Sequence, residues 1–322
     1  MSVTVILGLI LGLVLLVWSA DRFVIGASAV ASILGVSPLV VGILVVGIGT
    51  SAPEMLVSAL AALDGQSGLS VGNALGSNIT NIGLIIGLTA LLIPLKVQSQ
   101  IIRRELPLLL FVMGLGWFLL RDGELGVMDG SLLFVGFGLV ILRQLWEAKT
   151  SRNDILVGEF EESIPRDMSL GRAIFWLLFG LLVLMGSARL LVWSAVEVAT
   201  ALGVSELVIG LTVVAIGTSL PELAASVAAA RKDEHDIAIG NVIGSNLFNL
   251  LGVMALPGVI APGLIDTEVL SRDYPLMLGL TLLFFLVAWG PKPNAPRLIN
   301  RWEGALLVSV YLGYLVYLVY SA

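Results

Sequence analysis

The chain has 322 residues, of which 58% are hydrophobic and only 12% charged, with a mean hydropathy of +1.04. A water-soluble protein of this length carries about twice that charge fraction, so an integral membrane protein is expected and a soluble globular fold is excluded. The net charge of −6 discriminates little, because most charges lie in short connections, and the lack of cysteine removes disulfides, thiolate metal sites and cysteine nucleophiles.

Apolar runs near the length that crosses a bilayer recur along the whole chain. They predict ten spans, at 3–20 (or to 31 if the first runs on), 37–63, 69–94, 104–120, 125–146, 170–200, 205–230, 237–260, 273–290 and 301–320. The first run lacks a basic leader and a cleavage site, so it reads as a span and not as a removed signal peptide. Residues 1–147 then form a first five-helix repeat and 170–322 a second. Between them, 148–169 carries AKTSRND and EFEESIPRD, too short for a folded domain and read as a hydrated linker.

Thirteen of the 17 Lys and Arg fall on one side of this arrangement, around residues 96–104, 143–172, 231–232 and 292–301. That side should be cytoplasmic. Both termini would then lie outside, in a multi-pass protein of the cytoplasmic membrane, the inner membrane where there are two. Five spans per half is an odd number, so the second half enters from the opposite side. Inverted repeats of this kind place ion sites near the midplane, where discontinuous helices meet.

The second span reads LGVSPLVVGILVVGIGTSAPE at 34–54, and the seventh reads LGVSELVIGLTVVAIGTSLPE at 202–222. The spans that follow share GNALGSNITN at 72–81 and GNVIGSNLFN at 240–249. Each residue of the first copy has its counterpart 168 positions later, without a gap from Ser19/Ser187 to Asn81/Asn249. Pro53 and Pro221 should break or kink their helices, freeing carbonyls that membranes tolerate only beside a cavity. Glu54 and Glu222 follow at once, with Thr50, Ser51, Thr218 and Ser219 within one turn. A carboxylate at bilayer depth costs at least about 2.5–3.5 kcal/mol and is functional by default. Carboxylates, hydroxyls and carbonyls without imidazole or thiolate suit hard cations such as Ca2+ and Na+.

Ser77 and Asn81, like Ser245 and Asn249, are four apart and share one helix face. Gly72, Gly76, Gly240 and Gly244 form small-xxx-small pairs that admit a close neighbour. Asn73, Asn78, Asn241 and Asn246 read as helix–helix hydrogen-bonding residues. His235, in the polar RKDEHD segment, reads as a solvated loop residue outside the ion path.

The two GTSxPE…GNxxGSNxxN copies resemble the paired α-repeats of the cation/calcium exchanger superfamily. The GTSxPE form is closer to its sodium/calcium exchanger branch than to its proton-coupled branch. The resemblance covers essentially the whole chain. It implies an all-α membrane protein of ten helices in two inverted five-helix repeats, with broken helices at the midplane. By this resemblance Glu54 and Glu222 are the central acids. Thr50, Ser51, Thr218 and Ser219 supply hydroxyl and backbone ligands beside them, and Ser77 and Ser245 serve flanking Na+ positions. Asn81 and Asn249 complete the polar set, and the carbonyls of Gly47 and Ala215 are backbone ligands. Some relatives, notably potassium-dependent ones, carry Asp where this chain has Asn249, which argues against K+ co-transport.

The expected activity is Na+/Ca2+ antiport by alternating access, without a cofactor and without enzymatic chemistry. The expected partners are the two transported ions and the lipid bilayer, with no nucleic acid and no obligatory protein partner. One Ca2+ or two Na+ neutralise the two carboxylates, whereas the empty site cannot cross a low-dielectric barrier cheaply. The resemblance adds a third Na+. The rival on the same fold exchanges a divalent cation for H+. A passive channel is told apart only by flux stoichiometry. An intramembrane hydrolase would need a Ser–His or Asp–Asp pair inside a span, and the sequence offers neither.

Overall fold

The computed structural model describes residues 3–65, 67–98, 100–150, 168–201, 215–289 and 297–321. Helix α1 (Val3–Leu34) outruns its expected end. It stops where Gly35 turns to a positive φ of 62°, the usual device for closing a helix. The next span is broken. It comprises α2 (Pro38–Val41), a π-helical turn (Gly42–Val46), α3 (Gly47–Thr50) and, after a bend of 43°, α4 (Ala52–Leu63). The break falls at Ser51 (φ −82°, ψ 1°), and Pro53 sits in the first turn of α4. Proline therefore opens the second segment, where its missing N–H costs nothing, and does not interrupt a continuous helix.

The first half continues through α5 (Ser67–Thr80), a π turn (Asn81–Ile86) and α6 (Gly87–Leu92). A π turn (Ile101–Glu105) then leads into α7 (Leu106–Leu120), followed by α8 (Val127–Thr150). The second half begins with α9 (Leu170–Ala201). Next come α10 (Ala215–Thr218) and α11 (Leu220–Arg231), again separated at a Ser, Ser219 (φ −90°, ψ 5°). It goes on with α12 (His235–Phe248), a π turn (Asn249–Val253) and α13 (Ala255–Ile260). A further π turn (Val269–Asp273), α14 (Tyr274–Ala288) and α15 (Arg301–Ser321) complete it. The π turns at 81 and 101 recur at 249 and 269, so the duplication extends to helix irregularities. The central linker lies largely outside the described residues, as does the stretch before α10.

Among the described residues, six helical segments are long and apolar enough to cross a membrane, and the bent pair makes a seventh. Leu, Phe and Trp side chains line the outward faces of α1, α8 and α9, as lipid contact requires. Two short pairings tie the halves together at opposite ends. β1 (Leu95–Val97) runs antiparallel to β4 (Arg297–Ile299), and β2 (Glu124–Leu125) to β3 (Gly263–Leu264). The β1–β4 end also holds the Lys96–Asp233 ion pair at 3.1 Å. Hydrogen bonding from Lys96 keeps the Asp233 carboxyl below the usual carboxylate range.

Helix α12 packs directly onto α2 and the π turn after it. A Cβ on Gly240 would lie 2.8 Å from the Leu39 carbonyl, and one on Gly244 2.5 Å from the Ile43 carbonyl. Backbone cannot step aside cheaply, so Gly244→Ala should lower the unfolding temperature in detergent, as overpacking by about 1–3 kcal/mol does. Gly138→Ala, which meets nothing within 4 Å, should leave it unchanged. Equal unfolding temperatures for the two variants would contradict this packing.

Candidate ion-binding site

The two helix breaks and the helices after them meet in the protein interior. Glu54 stands in the first turn of α4 and Glu222 in the first turn of α11, each 1% exposed. Ser51, three residues before Glu54, bonds the Glu222 carboxylate, so the two acids lie close together. Negative side chains are favoured at a helix N-terminus, so each break orients its own acid.

Backbone anchors repeat in both copies. Asn73 Nδ2 donates to the Glu54 carbonyl (3.2 Å) and to Ser58 Oγ (2.9 Å). Asn241 Nδ2 donates to the Glu222 carbonyl (3.1 Å) and to Ser226 Oγ (2.9 Å). Ser58 and Ser226 hydroxyls then donate to the Ser70 and Ala238 carbonyls, both at 3.4 Å. These bonds clamp the acid-bearing turn to the following helix and leave the carboxylates uninvolved.

Other bonds cross between the copies. Thr50 Oγ1 lies 3.0 Å from Asn241 Oδ1, and Ser51 Oγ donates to Glu222 Oε1 at 3.4 Å. Ser245 Oγ donates to the Gly47 carbonyl at 3.4 Å, and that carbonyl also accepts the Ser51 amide at 3.0 Å. Asn81 Nδ2 donates to Asn246 Oδ1 at 2.9 Å, and Asn78 Nδ2 to the Asn246 carbonyl at 3.3 Å. Ser77 is buried on α5, one turn before Asn81. Asn81 and Asn249 each open a π turn; such turns re-aim side chains and cluster at functional sites. Thr218 closes α10, and Ala215 opens it; the Ala215 side chain lies outside the described residues.

The decisive feature is what these oxygens lack. Among the described residues, both carboxylate oxygens of Glu54, Oε2 of Glu222, Oγ of Ser219, and the Oδ1 atoms of Asn81 and Asn249 are buried without a hydrogen-bond partner, as are the amide nitrogens of Asn246 and Asn249. Buried polar atoms are ordinarily satisfied, and a buried unpaired carboxylate is costlier still. Two buried carboxylates with neutral oxygens around them are the environment a hard cation completes. Among the described residues, no group of three His, Cys, Asp or Glu forms a metal cluster. Cation binding here would rest on two acids plus neutral oxygens.

The sodium/calcium exchanger protein family matches the chain over residues 4–146 and 172–320. The chain belongs to this family. The exchanger is 47% identical over 314 residues to CaxA of Alkalimonas amylolytica, covering 97% of this chain and 98% of the relative. It is 44% identical to the inner membrane protein YrbG of Escherichia coli (strain K12), covering 96% and 95%. It superposes on a solved structure of the sodium-calcium exchanger NCX_Mj, soaked with zero Na+ and Ca2+, with a TM-score of 0.83. That match has 33% identity and covers 99% of this chain and all of the other. The exchanger is thus a multi-pass, helical membrane transporter, of a family of ion exchangers and not of enzymes.

One expectation about this exchanger fails. His235 is not a solvated loop residue but the buried first residue of α12, with Nε2 2.8 Å from Asp233 Oδ1. The turn between α11 and α12 is only three residues long. It folds against α1 through the Lys232–Asp21 pair, and Gln98 bonds the neighbouring Asp236, so the histidine lies inside. Asp233 adopts φ 62° there, the conformation that Gly65 supplies at the equivalent turn of the first copy. Asp tolerates that region better than most residues.

Proposed function

We propose that this protein exchanges Na+ for Ca2+ across the cytoplasmic membrane by alternating access. In this reading it has ten spans in two inverted five-helix repeats, 1–147 and 170–322, joined by a cytoplasmic linker at 148–169, with both termini outside. Glu54 and Glu222 bind Ca2+ or Na+ in competition. Ser51, Ser219, Asn81 and Asn249 add neutral oxygens. Thr50, Thr218, Ser77, Ser245 and the carbonyls of Gly47 and Ala215 complete the shell. Gly47 would join only after the Ser245 hydroxyl turns away from its carbonyl, so Na+ at Ser245 and opening of Gly47 are linked.

The observation that carries this reading is the pair of buried carboxylates, three of whose four oxygens have no hydrogen-bond partner among the described residues, with Asn249 keeping a third charge out. A −2 site is neutral with one Ca2+, and only a near-neutral core crosses a low-dielectric barrier cheaply. The same carboxylates could exchange protons, and the test separates the two. Radioactive Ca2+ should enter Na+-loaded proteoliposomes and stop when internal Na+ is replaced by K+ or choline. Uptake driven by a proton gradient with no Na+ would assign proton coupling instead. Uptake independent of any counter-ion would make the protein a channel.

A further inference from the structure

Beyond the ion site, the duplicated frame carries a charge pair whose sign is reversed between copies. Lys232, just past α11, pairs with Asp21 of α1 at 2.6 Å. Their counterparts 168 positions away are Asp64, just past α4, and Arg189 of α9. Acid and base have changed places, so the second pair is as complementary as the first. Yet Arg189 and Asp64 are both exposed and are not paired with each other.

Helix packing shows the same asymmetry. Helix α1 lies closely against α11 beside the Lys232–Asp21 contact. Its counterpart, α9 against α4, has no comparable packing among the described residues. The equivalence of α1 and α9 is independently marked by Ser19 and Ser187, whose hydroxyls bond the Leu16 and Leu184 carbonyls at 3.1 and 2.9 Å. Lys232 belongs to the end that carries β1, β4 and the Lys96–Asp233 pair. Asp64 lies at the opposite end, next to Ser67, whose hydroxyl donates to the Ala261 carbonyl at 2.6 Å. One end is latched, and its mirror position is open.

We propose that Asp21–Lys232 and Asp64–Arg189 are mutually exclusive latches on opposite membrane faces, and that one opens as the other closes when the exchanger switches access. The structure is then the state closed on the cytoplasmic side. In the opposite state, α9 settles on α4 and brings Arg189 to Asp64, while α1 withdraws from α11 and Lys232 loses Asp21. The inference rests on the alternating-access reading above. Charge reversal between copies also prevents cross-pairing, because Asp21 cannot pair with Asp64, nor Lys232 with Arg189.

The chain has no cysteine, so thiol pairs can be introduced on a silent background. Two double variants of the full chain, Asp21→Cys/Lys232→Cys and Asp64→Cys/Arg189→Cys, are reconstituted and exposed to a short bifunctional thiol reagent. The first pair should cross-link readily without ions. The second should cross-link faster with saturating Na+ or Ca2+ than without. Adding Asp21→Lys to the second pair should raise its cross-linking rate by about 2–5-fold, the range a half-exposed ion pair supports. Adding Lys232→Asp as well should return the rate to its starting value. If ions do not speed cross-linking of Asp64→Cys/Arg189→Cys, or if Asp21→Lys leaves its rate unchanged, the latches are overturned. Radioactive Ca2+ flux in the uncross-linked variants tests the exchange reading separately. Loss of that reading would leave Na+-dependent alternation of the two cross-links measurable.

Discussion

Glu54→Gln and Glu222→Gln should each abolish Ca2+ transport while leaving a protein that extracts and elutes like the parent. Removing one carboxylate deletes one of the two charges that hold Ca2+. Taking away one charged partner of a buried ion costs about 3–5 kcal/mol, which corresponds to a loss of Ca2+ binding of about 100-fold or more. Folding should survive because, among the described residues, neither oxygen of Glu54 nor Oε2 of Glu222 has a hydrogen-bond partner, and Ser51 reaches Oε1 of Glu222 only at 3.4 Å. An amide is also cheaper to bury than a carboxylate. Radioactive Ca2+ uptake and size-exclusion profiles of both variants decide the matter. Uptake near the parental rate in either variant would remove the two-carboxylate site. Loss of the folded peak would instead assign the acids a structural role.

That prediction could be drawn from sequence, because duplication makes Glu54 and Glu222 stand out from apolar surroundings. Helix positions were similarly legible from apolar runs, and α8, α9 and α14 start or end within a few residues of expectation. The π turns were not. A π turn at Asn81 or Asn249 has no composition of its own; it arises from how the helix meets its neighbours. The break at Ser51 was displaced from the expected Pro53 because proline suits the first turn of a new helix. Contacts between copies were also hidden. The alignment shows that Asn73 matches Asn241, but not that Asn241 also faces Thr50 across the repeat. His235 was misjudged for a related reason: a run of charges reads as solvated until α1 is known to lie over it.

Na+-driven Ca2+ uptake should respond to membrane potential. Two Na+ neutralise Glu54 and Glu222, and in the proposed reading Ser77 and Ser245 serve flanking Na+ positions. The Ser245 hydroxyl donates to the Gly47 carbonyl at 3.4 Å, a long bond that a cation at Ser245 would replace. Asn81 and Asn249 offer further unpaired Oδ1 atoms without adding charge. Three Na+ would load this set to +1 and one Ca2+ to zero, so one net charge leaves the vesicle for each Ca2+ that enters. The field then acts at about 2.3 kcal/mol per 100 mV, at most about 50-fold in rate if the charge crosses the whole field in the limiting step. An inside-positive potential set with K+ and valinomycin should speed uptake into Na+-loaded vesicles, and an inside-negative one should slow it. Equal rates at zero and at 100 mV of either sign would make exchange electroneutral and remove the third Na+. The two carboxylates would keep their role, because two Na+ already balance one Ca2+.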